Sequence, residues 1–103
     1  MQHIDTITPR EVEEMLETGA QLALIDVREA EEVAEGMIHG AKHIPMALIP
    51  EKLDSLKKGQ EYIIICRSGH RSENVCDFLQ ERGYKVRNMI GGMLEWNGEI
   101  EFK

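Results

Sequence analysis

Glu61-Tyr62-Ile63-Ile64-Ile65-Cys66 is the strongest strand signal in the chain, and Arg67-Ser68-Gly69-His70 breaks it at once. An aromatic and three β-branched residues without a polar interruption suit a strand covered on both faces. The Ser and Gly that follow read as a turn. Arg71–Arg82 then reads as a helix, with Val75, Phe78, Leu79 and Arg82 on one side and Gly83 as its stop. A buried strand that turns directly into a helix is the repeating unit of a parallel sheet.

The same pattern recurs on either side. Upstream, Leu22-Ala23-Leu24-Ile25-Asp26-Val27 is a second continuous apolar run that suits a buried strand. It follows a helix opened by Thr8-Pro9, with Val12, Met15 and Leu16 at helical spacing, several Glu on the other face, and Gly19 at the end. Arg28–Gly36 is a charged stretch of one or two helical turns, and Lys42–Pro45 a short strand. Met46–Leu56 has a weaker helical pattern, broken by Pro50. Downstream, Lys85–Ile90 is a last short strand, and Gly91-Gly92 leads into a helical turn around Leu94 and Trp96. No repeat, linker or low-complexity tract divides residues 1–103, so a single α/β domain is expected.

Composition narrows the function. The 103 residues contain 12 Lys+Arg against 19 Asp+Glu, a net charge of −7, with 42% hydrophobic residues. That balance argues against nucleic acid and anionic membranes, both of which need clustered positive charge. The longest apolar runs, Leu22–Ile25 and Ile63–Cys66, fall far short of the roughly 20 residues of a membrane span. Met1-Gln2-His3-Ile4-Asp5-Thr6 has neither the basic nor the apolar region of a signal peptide, so a cytoplasmic location with two free thiols is expected. Cys66 and Cys76 fit no zinc or redox spacing, and His3, His39 and His43 form no metal-ligand pattern. No metal is expected.

The chemistry is expected where the central strand ends. Ligands of open α/β sheets bind at the carboxyl ends of strands, beside helix N-termini. Cys66 occupies that place. A helix N-terminus and the charges of Arg67 and Arg71 favour a thiolate over a thiol, and Gly69 lets the turn close tightly. Together they describe an activated sulfur that attacks, or carries, something negatively charged. Cys76 reads as a packed helix residue.

Cys66-Arg67-Ser68-Gly69-His70-Arg71-Ser72 resembles the active-site loop of rhodanese-domain sulfurtransferases. The resemblance extends through Asp26-Val27-Arg28-Glu29, Glu32, Gly36, Ile38, Gly40-Ala41 and Ile44-Pro45. It continues with Leu79, Gly83-Tyr84, Val86, Gly91-Gly92 and Trp96, covering about residues 7–96. Met37-Ile38-His39-Gly40-Ala41 departs from the family's His-Ile-Pro-Gly-Ala, and Ala30 and Val33 replace the common Pro and aromatic. These departures bear on local turn geometry outside the loop.

The resemblance implies a rhodanese-like fold, α/β, with a mostly parallel central sheet of about five strands flanked by helices on both faces. It implies a thiosulfate sulfurtransferase in which Cys66 takes a sulfane sulfur from a small anionic donor as a persulfide. Cyanide, a thiol or a protein acceptor then removes it, with no cofactor. Arg67, Ser68, Gly69, His70 and Arg71 would bind the donor, chiefly through backbone amides. Asp26, Arg28, Glu32 and Ser72 would support the loop, with Glu32 a partner for Arg28. His70 is not required as a base if the thiol is already ionised. The alternatives are a sulfur-relay module that holds a persulfide for a partner protein, and a cysteine phosphatase or arsenate reductase. The last two use Cys-x5-Arg, whereas Cys66–Arg71 is the shorter Cys-x4-Arg.

Overall fold

The computed structural model describes residues 3–102. Its strands are β1 (Thr6–Ile7), β2 (Ala23–Asp26), β3 (Lys42–His43), β4 (Glu61–Ile65) and β5 (Lys85–Met89). Its α-helices are α1 (Pro9–Glu17), α2 (Ala30–Val33) and α3 (His70–Glu81), and two 3₁₀ segments cover Met46–Ser55 and Gly92–Glu95. The strands form one sheet in the order β1-β5-β4-β2-β3, with every neighbouring pair parallel. An isolated antiparallel bridge joins Met37 to Glu101. Among the described residues no helix is long and apolar enough to cross a membrane.

Strand periodicity explains how one apolar run feeds two cores. Tyr62, Ile64 and Cys66 point to one face, where they pack with Val75, Cys76 and Leu79 of α3 and Ile49 of the first 3₁₀ segment. Ile63 and Ile65 point to the other, against Val12 of α1, with Met15, Leu16 and Trp96 beside them. Helices therefore cover both faces, as expected. Each fully buried Ile contributes about 1.5–3 kcal/mol, so the centre of β4 is a main source of stability.

Local chemistry sets the element ends. Thr8 and Glu11 form a reciprocal capping box at the start of α1. Gly19, at φ +86°, follows its C-cap. Thr6–Ile7, unmarked in the sequence because two residues are too few to show a periodic pattern, completes the expected five strands. One expectation is corrected. Met46–Ser55 is 3₁₀ rather than α-helical, because Pro50 lacks the N–H that a continuous α ladder needs there.

Candidate functional site

Strand parity directs the Cys66 side chain to the face covered by α3, whose first turn begins at His70, one residue earlier than expected. Gly69 makes the tight entry at φ +98°, and a Cβ there would lie 3.0 Å from the Gly91 backbone nitrogen. The unpaired amides of this helix start converge on the sulfur. Gly69 N–H donates to Cys66 Sγ at 3.0 Å and Ser72 N–H at 3.3 Å, while Ser72 Oγ lies 3.2 Å away.

Cys66 has no solvent-accessible surface, so the partly exposed setting usual for a reactive thiol does not describe this state. Burial pushes the thiol up. The Ser72 hydroxyl, when its hydrogen faces the sulfur, and the Ser72, Gly69 and Ser68 amides more than offset it, and the thiol is drawn below its ordinary value. Cys76 shows what the same core does without such donors. It is a free, buried thiol pushed up to about 12, mainly by burial.

The two arginines of the loop have different fates. Arg71 donates to both oxygens of Glu32 at 2.8 Å, linking α3 to α2. This corrects the expected pairing of Glu32 with Arg28, and it neutralises one of the loop's two positive charges. The guanidinium beside Glu32 holds its carboxyl at about 2. Arg67 and Ser68 are exposed, as is His70, and Arg67 has no ion-pair partner among the described residues.

Arg28 is instead paired with Asp26 in a nearly dry setting. The ion pair is 2.9 Å long, with side chains 8% and 0% exposed. Arg28 Nη2 also donates to the Gly36 carbonyl at 2.8 Å, and its contact with Glu32 is to the backbone carbonyl only. His43 is half-buried and places Nε2 2.8 Å from the Arg28 carbonyl oxygen. The pair thus shapes the β2 loop beside the sulfur.

The profile of the Rhodanese-like domain matches residues 8–99. The chain belongs to the rhodanese-like domain family. It is 53% identical over 100 residues to a Bacillus subtilis protein named "Putative sulfurtransferase YtwF", covering 97% of each chain. It is 35% identical over 94 residues to a sulfurtransferase of Allochromatium vinosum, covering 90% of this chain and 88% of that one. A crystal structure of a rhodanese-like domain protein from Staphylococcus aureus superimposes with a TM-score of 0.92 at 39% identity, covering 97% and 99% of the two chains.

In this rhodanese-like domain two further parts of the site escaped the sequence reading. Asn88, 2% exposed in β5, accepts from Ser72 Oγ through its Oδ1 and donates from Nδ2 to the Gly69 carbonyl at 3.0 Å. Its only signal in the sequence is an amide residue within a strand, where Asn is disfavoured. Gly92 lies against the backbone under the sulfur, where a Cβ would be 2.5 Å from the Cys66 carbonyl oxygen and would strike that of Arg67. The close approach lets Met93 N–H and Leu94 N–H donate to those two carbonyls at 2.9 and 3.0 Å. The loop is therefore held from below by the start of the last 3₁₀ segment.

Proposed function

We propose that this sulfurtransferase-family domain moves a sulfane sulfur from thiosulfate, or a similar small anion, to cyanide or a thiol through a persulfide on Cys66. One observation supports this reading above the others: amide donors converge on a thiol at the carboxyl end of a central parallel strand. The Cys66 thiolate attacks the outer sulfur of thiosulfate. A new S–S bond forms, the donor's S–S bond breaks, and sulfite leaves with the electron pair. The acceptor then attacks the outer sulfur of the persulfide, and Cys66 leaves as thiolate. Neither step needs a metal, a cofactor or a proton from His70.

The roles follow from charge and exposure. The Ser68, Gly69 and Ser72 amides hold the sulfur's negative charge, and the exposed Arg67 attracts the anionic donor. Arg71 acts through Glu32 to fix the helix start and is withdrawn from direct substrate contact. Intact mass spectrometry after thiosulfate tests the reading. A gain of about 32 Da that cyanide removes as thiocyanate is expected, and absent from Cys66→Ser. A gain retained by that variant overturns it.

A further inference from the structure

We infer that Asn88 is a positioning residue for Cys66: it takes the single hydrogen of the Ser72 hydroxyl and so withholds that donor from the sulfur. The Gly69 carbonyl can only accept, so the Asn88 amide must face it with its nitrogen and present its oxygen to Ser72. Ser72 Oγ then has two claimants for one hydrogen, Asn88 Oδ1 and Cys66 Sγ. With the hydrogen on Asn88, Ser72 offers the sulfur only lone pairs. That arrangement suits Cys66 as a thiol, whose S–H donates to Ser72 Oγ. It opposes the thiolate, which has nothing to donate.

Ionisation therefore creates a conflict. Either Ser72 stays with Asn88 and turns lone pairs to the charged sulfur, or it turns to the sulfur and strips a buried amide oxygen of its donor. The Gly69 and Ser72 amides stabilise the thiolate, and Asn88 holds it back. The persulfide escapes the conflict because its charge lies on the outer sulfur, one bond farther from Ser72. Asn88 thus biases the site toward the loaded form, a consequence that rests on the proposed persulfide chemistry.

The test uses protein without sulfur donor and follows thiolate ultraviolet absorbance against pH, corrected with Cys66→Ser. Cys76, pushed up to about 12, titrates outside the window. The other groups around the sulfur, Arg71 with Glu32, the exposed Arg67 and the Asp26–Arg28 pair, are common to all variants. Asn88→Leu frees the hydroxyl and is expected to give about tenfold more thiolate at a pH below the midpoint. The gain should vanish in the Ser72→Ala background. No gain, or an equal gain in that background, overturns the inference. Should Asn88→Leu fail to fold, Ser72→Ala alone decides. A thiolate fraction within about twofold of wild type fits a hydroxyl already withheld, and a drop of about tenfold overturns the inference. The titration requires no persulfide, so its failure is distinct from a missing gain in mass with thiosulfate.

Discussion

Arg71 grips Glu32 through two hydrogen bonds of 2.8 Å, joining the first turn of α3 to α2 across 39 positions of sequence. Bidentate guanidinium–carboxylate pairs combine charge with fixed geometry and exceed ordinary surface pairs in strength. Glu32 Oε1 also accepts from the Glu29 amide, so the carboxylate is anchored at both sides. The pair is a mechanical tie for the sulfur's amide cradle.

Glu32→Gln should lower stability at neutral pH by about 1–2 kcal/mol in urea unfolding. The folded carboxyl is depressed to about 2 from 4.5, so its contribution is fully present above pH 4.5 and lost as pH falls through about 2. The gap between wild type and variant should close over that range. Arg71 would also regain an unpaired charge, making thiosulfate turnover more salt-sensitive than in wild type. An unchanged salt response would show that Arg71 lies outside the donor's field.

Gly92→Ala should damage stability and turnover together. The residue sits at φ +59°, and its new methyl group would push on the Cys66 and Arg67 carbonyls. A loss of about 2 kcal/mol or more is expected, with thiosulfate turnover reduced at least about tenfold. Gly19→Ala is the control, since φ is +86° there but the space is open. It should cost about 1 kcal/mol and leave turnover intact.

Arg28→Met should leave the Asp26 carboxylate buried without its partner. Breaking a buried pair from one side costs about 3–5 kcal/mol, whereas replacing both members by apolar groups restores much of the loss. Urea unfolding of Arg28→Met and of Asp26→Leu with Arg28→Met measures the difference. A single-variant loss below about 1 kcal/mol would mean that water reaches the Asp26 oxygens.

Much of this molecule is legible in residue order. The run from Tyr62 to Cys66 sets a buried strand, its alternation sends Cys66 toward one face, and Gly69 permits the turn that presents amides to the sulfur. These are local consequences of side-chain shape and backbone freedom, and they set Cys66 at the carboxyl end of the central strand, beside the start of α3. Tertiary structure alone decided the polar partnerships around it. Arg71 meets Glu32 and Asn88 meets Ser72 because parallel packing brings strand ends and helix starts, far apart in the chain, to one edge of the sheet. Arg28 chose Asp26, two residues away, over Glu32, because both side chains turn into the same dry space. The covering of Cys66 is tertiary too, since exposure depends on what folds over a residue and not on its neighbours in sequence. Periodic patterns encode which face a residue takes; only packing selects the charge or donor waiting there.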